Sequence, residues 1–242
     1  SLVDSINVLV IQAFSALAAG GAIICAQYIG QKNKERANES ARQVLFIITA
    51  ISIVVSLICL IFQKPLLRVI FGSVEAEVMR ASEIYFFYTA LSFPFIAAYD
   101  AAASIFRAQD NTKGPMIISM ISNVMNIAGN AVMIWVFHMG VAGVALATII
   151  SEGISSALIL LCLKHMDGPL HFELKDMRFH KDLALQMLEV GLPAGLQGII
   201  FSISNVLIQS SINSFGSLVM AGNTAASNIE GFVYTSMNAV YQ

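Results

Sequence analysis

Seven apolar stretches, each long enough to cross a bilayer, fill most of this 242-residue chain. They run over residues 6–29, 44–62, 84–106, 116–137, 141–163, 187–212 and 219–241. About 20 residues at ~1.5 Å rise span the ~30 Å of a hydrocarbon core. Inside lipid the backbone must satisfy its own polar groups, so each stretch is predicted to be a helix. These helices are apolar nearly all round, which suits burial in a membrane and not the surface of a soluble domain. Hydrophobic residues make up 57% of the chain and charged residues 12%. The mean hydropathy of +0.76 agrees. A soluble domain is nearer 45–50% apolar and ~25% charged. The fold class expected is an all-α polytopic membrane protein, a transmembrane helical bundle of about seven spans.

The connections carry the charge, and they alternate. The first, third and fifth hold ten basic residues, among them Lys32, Lys34, Arg36, Arg107, Lys164 and Lys181. The second, fourth and sixth hold three, Lys64, Arg68 and Arg80. The positive-inside rule puts the odd connections in the cytoplasm. The longest one, residues 164–186, contains Gly168-Pro169, a turn signal. It divides the chain into an expected amino-terminal transmembrane lobe, 1–163, an interlobe loop, 164–186, and the start of a second lobe, 187–242. The chain opens and stops within apolar segments, so it reads as part of a longer protein.

Several function classes recede. A net charge of −2 offers no basic surface for nucleic acid. Cys25, Cys59 and Cys162 sit in apolar segments and read as small buried hydrophobes. His165, His171 and His180 lack zinc spacing, so no metal site is expected. No catalytic triad or nucleotide motif is visible, and an enzyme is not expected.

Function is then sought in polar residues inside the spans. Asn123, Asn126 and Asn130 are spaced i, i+3, i+7 and share one face of the fourth span. They are either glue between helices, at about 0.6 kcal/mol per hydrogen bond, or an inward polar layer that binds a cation or substrate. Glu152 lies near the middle of the fifth span, one turn after Thr148. An ionisable residue at that depth is a functional candidate by default. Asp100 is a candidate gate, sharing a helix face with Arg107. Gln197, Asn205 and Glu230 are candidates for lining a cleft. Pro94 and Pro193 are candidate hinges, since proline removes a backbone hydrogen bond.

Local patterns in one register carry a resemblance. They are Ala26-Gln27-Tyr28-Ile29-Gly30-Gln31-Lys32-Asn33, Phe106-Arg107-Ala108-Gln109-Asp110-Asn111-Thr112-Lys113-Gly114-Pro115, Asn123-Val124-Met125-Asn126, Gly140-Val141-Ala142-Gly143, and Val190-Gly191-Leu192-Pro193-Ala194. Together they resemble the multidrug and toxic compound extrusion (MATE) family of cation-coupled exporters. That family has twelve helices in two lobes, and this chain corresponds to helices two to eight. The resemblance implies a monomeric antiporter in a prokaryotic cytoplasmic membrane. It would export amphipathic organic compounds against H+ or Na+, with no other cofactor. In one branch of the family an Asn, an Asp and a Thr join a cation-linked network. Asn126 falls on the Asn and Thr148 on the Thr, while Asn130 stands where the Asp would be. Another branch uses a Glu at the position held here by Phe201. The alternative is a flippase for lipid-linked precursors, which would need basic residues inside the membrane; all thirteen fit loops or helix ends.

Overall fold

The computed structural model describes residues 2–71, 76–165, 179–213 and 217–241. Within them lie eight helices: α1 (Leu2–Gly30), α2 (Lys34–Ile61), α3 (Gln63–Phe71), α4 (Ala76–Arg107), α5 (Lys113–Trp135), α6 (Gly140–Lys164), α7 (Lys181–Asn213) and α8 (Ser217–Tyr241). Six of them, α1, α2 and α4 to α7, are long and apolar enough to cross a membrane. The seventh apolar stretch is α8, a helix of 25 residues.

Several helices outrun the hydropathy that predicts them. α2 begins ten residues before Val44, in a run rich in Lys, Glu, Arg and Ala, which are good helix formers. Asn33 caps it, its side chain accepting the N–H of Arg36 at 3.2 Å. α3 has no counterpart in the hydropathy pattern. It is a short helix that buries Leu67 in a small cluster with Val3 and Phe86.

Contacts divide the chain into two compact units, Ser1–Leu196 and Gln197–Gln242. The expected loop at 164–186 falls mostly on residues 166–178, outside the described residues. The first unit holds α1 to α6 and the beginning of α7. α4 is its hub, packing on α1, α2 and α6, while α5 leans on α6. Ala90, Ala97, Ala101, Ala102 and Ala103 of α4 are all at most 2% exposed. Small side chains there let three neighbours approach one helix closely. Phe14 and Phe93 fill the remaining space edge to face, with ring centroids 6.2 Å apart. α5 is the opposite case. Met116, Met120, Val124 and Ile127 on it are exposed, as suits a surface solvated by lipid. The second unit holds the rest of α7 and α8, and its described large apolar side chains, Ile200, Phe201 and Phe232 among them, are exposed.

Pro94 lies within the unbroken α4 and Pro193 within the unbroken α7. At Pro94 the carbonyl one turn back, Ala90 O, accepts the hydroxyl of Ser56 at 2.7 Å in place of the missing N–H.

Candidate functional site

The α5–α6 contact is built on small residues. A Cβ placed on Gly129 would meet the Cβ of Ala147 at 3.1 Å, and one placed on Gly143 would meet the Cβ of Met133 at 2.9 Å. The two backbones are therefore near enough for short polar side chains to reach across. Asn126 does so. Its amide nitrogen donates to Thr148 Oγ1 at 3.3 Å and to Ser151 Oγ at 3.1 Å. Its Oδ1 accepts from Asn130 Nδ2 at 3.0 Å, one turn along α5.

The protons of the hydroxyls are already committed. Thr148 donates to Val144 O at 3.0 Å and Ser151 donates to Thr148 O at 2.9 Å. Ser155 donates to Ser151 O at 2.6 Å, and Ser122 reaches the same carbonyl at 3.5 Å. Thr148 and Ser151 thus face Asn126 as acceptors. Asn130 Oδ1 is buried and has no partner among the described residues. Three of the four side-chain oxygens of the group therefore already accept, and Asn130 Oδ1 is left over. Such an orphan is costly unless a cation or a donating ligand meets it.

Of the expected residues, Asn126, Asn130 and Thr148 come together. Asn123 is exposed and makes no described side-chain hydrogen bond. Glu152 follows Ser151 on α6 but shares no described hydrogen bond with the amide network. It lies within electrostatic reach of Tyr99 and Asp100 on α4. Asp100 accepts the hydroxyl of Ser15 on α1 at 2.7 Å. Arg107 acts on Asp100 only at a distance, and the described ion pairs do not join them. Tyr99 ties α4 to α5 by donating to Pro115 O at 2.9 Å. α6 therefore carries two polar faces, the hydroxyls of Thr148 and Ser151 toward the amides of α5 and the carboxylate of Glu152 toward Tyr99 and Asp100 of α4.

Gln197 and Glu230 are exposed and lie in the second unit. The side chain of Asn205 lies outside the described residues. The sequence alone does not single out Ser15, Ser122, Ser151 or Ser155. Serine is common in membrane helices, and the one available signal is the place of Ser151, a turn beyond Thr148 on the same helix.

A family model described as MatE matches residues 1–132. The Bacillus subtilis protein named probable multidrug resistance protein YoeA is 27% identical over 224 residues, covering 90% of this chain and 48% of that protein. The uncharacterized transporter YisQ of the same organism is 28% identical over 239 residues, covering 97% of this chain and 52% of that one. Among solved structures, a multidrug resistance MATE family transporter in an outward-facing conformation superposes with a TM-score of 0.83 at 22% identity. That match covers 93% of this chain and 50% of that one. The chain spans about half the length of the relatives it matches.

Proposed function

The chain belongs to the MatE family, and on that premise we propose that the intact protein is a cation-driven antiporter exporting amphipathic organic compounds from the cytoplasm. The observation that carries the coupling is the unanswered acceptor Asn130 Oδ1, grouped with the oxygens of Asn126, Thr148 and Ser151 between two helices of membrane-spanning length. Neutral oxygens of this kind suit Na+ directly. A proton needs a titratable group, and Glu152 supplies one on the other face of α6. The protein named for multidrug resistance among the relatives supports drug-like substrates over a lipid-linked precursor. Residence in the cytoplasmic membrane and action as a monomer belong to the same reading.

The test is transport by the purified intact protein in liposomes, with a proton gradient or a sodium gradient imposed alone. Uptake of a fluorescent organic cation driven by one gradient, and lost in Asn126→Leu, is the expected result. Equal movement with neither gradient would refute coupling.

A further inference from the structure

Around the start of α2 the charges are sorted into two cavities. Glu35 and Glu39 line one of about 420 Å³, together with Asn33, Arg36, His180 and Asp182. There Arg36 answers two carboxylates, Glu39 at 3.4 Å and Asp182 at 3.0 Å. Lys32 and Lys34 line the other, of about 210 Å³, whose remaining described walls are Ile29 and Ala37. No carboxylate lines this second cavity among the described residues. Neither lysine joins an ion pair among them. Two exposed ammonium groups thus share one hollow with no counter-charge of the protein's own.

The hollow is also split by polarity. Ile29 is the last residue of the first apolar stretch and packs partly against the core. Ala37, on the first turns of α2, is 1% exposed, and its small side chain leaves the space open. The lysines stand just past the end of the apolar stretch, at the level where headgroups replace hydrocarbon. The backbone does not ask for lysine at this place. Lys32 has φ 58°, and the turn between α4 and α5 holds Asp110 at φ 57°. The positive charge beside Asn33 is therefore a choice of chemistry and not of conformation.

Orienting the chain in a membrane needs basic residues somewhere in the connection. It does not need two of them on one hollow with an apolar wall. An amphipathic anion matches both halves of that hollow. Inorganic phosphate would meet the lysines and leave Ile29 against water. A zwitterionic lipid would cover Ile29 but bring its own cation to the lysines. The volume is several times the ~30 Å³ of one water, enough for a phosphate and the glycerol it esterifies. Paired basic residues at the membrane surface are the usual means of holding anionic lipid.

We propose that the α1–α2 turn binds one anionic phospholipid, its headgroup phosphate between Lys32 and Lys34 and the root of an acyl chain against Ile29. The site does not depend on the transporter reading, and its test does not use transport. The intact protein is purified in a neutral detergent and its thermal unfolding midpoint is followed. Dioctanoylphosphatidylglycerol should raise the midpoint along a saturable curve. Dioctanoylphosphatidylcholine, glycerol 3-phosphate and inorganic phosphate should each need at least about tenfold more for the same shift. Lys32→Gln with Lys34→Gln should raise the half-saturating phosphatidylglycerol concentration at least about tenfold, with the lipid-free midpoint unchanged. Lys32→Arg with Lys34→Arg keeps the charge and should bind as the parent does. Ile29→Gln keeps both lysines and should weaken binding at least about threefold, through the apolar wall alone. Lys113→Gln with Lys164→Gln removes the same charge from the exposed ends of α5 and α6 and should leave binding within about twofold. An equal loss in that control pair, or equal potency of phosphatidylcholine, would overturn the site. Inorganic phosphate as potent as the lipid would make it a site for free phosphate and overturn the lipid.

Discussion

Asn33 and Asn111 occupy the same place in two copies of one turn. Each follows a residue in the left-handed region, Lys32 at φ 58° and Asp110 at φ 57°. The Asn33 N–H reaches back to Tyr28 O at 3.0 Å, and the Asn111 N–H reaches back to Phe106 O at 3.1 Å. Both Oδ1 atoms then accept an N–H three residues on, from Arg36 at 3.2 Å and from Gly114 at 3.4 Å. One residue type closes the turn after one helix and reaches into the first turn of the next, across the three residues between α1 and α2 and the five between α4 and α5.

This arrangement predicts a local cost for each asparagine. Asn33→Ala and Asn111→Ala should each destabilise the protein by about 1 kcal/mol. The two turns are separate, so the double variant should lose close to the sum. Lys32→Gly and Asp110→Gly should be tolerated or should stabilise, because glycine enters the left-handed region without a Cβ penalty. Thermal unfolding of the detergent-solubilised protein reads all of these.

The α5–α6 crossing should not tolerate bulk. Gly129→Leu drives a side chain into Ala147 and pulls Asn126 away from Thr148. Export should be lost and the unfolding temperature should fall, whereas Gly198→Ala, at a glycine with open space around it, should change neither.

Within the amide network, Asn126→Leu removes two donors and one acceptor. Its stability cost should be modest, about 0.6 to 1.7 kcal/mol. Its functional cost should be much larger, with most gradient-driven uptake gone. Thr148→Val keeps the shape and deletes one acceptor oxygen. It should raise the ion concentration for half-maximal transport more than it lowers the maximal rate. A proportional loss of both would mean that the network only holds the helices together.

Glu152→Gln keeps size and hydrogen bonding while removing titration. The variant should insert and fold, yet lose proton-driven export. Unchanged efflux at matched expression would assign the carboxylate a structural part and shift coupling to other groups.

Topology has its own test. Cysteine at Lys34 should react with an impermeant reagent only from the cytoplasmic side, and cysteine at Met139 only from outside. Labelling of position 34 on intact cells would invert the orientation.

Hydropathy is enough to locate the seven helices, because the bilayer core selects length and apolarity and little else. It cannot find the ends of α2, α4 and α7, which run past the hydrocarbon on residues chosen for helix propensity. Nor can it find α3, whose nine residues are too few and too polar to register. For the site, the spacing of Asn126 and Asn130 is legible, since one turn of helix fixes a shared face. The exclusion of Asn123 is not. A face is about a third of a turn wide, and which edge meets α6 depends on Gly129 and Ala147. Glu152 shows the same limit. It stands one turn from Thr148, but α6 is wedged between two helices, and its polar side chains part to either hand.

The enclosure of α4 also bears on how the protein is made. Its apolar stretch is 67% buried, against 6% for α5, and it carries Ser92, Tyr99, Asp100 and Ser104 among its alanines. α1 and α2 are synthesised before it and can shelter one side at once. α6, which covers another side, leaves the ribosome only after α5. For that interval the face of α4 that α6 will cover meets lipid, or the insertion machinery, while Asp100 and Tyr99 have only Ser15 of α1 and Pro115 of α5 to bond with. The nascent chain is then at its least stable, and a stall between α5 and α6 should mark it for degradation.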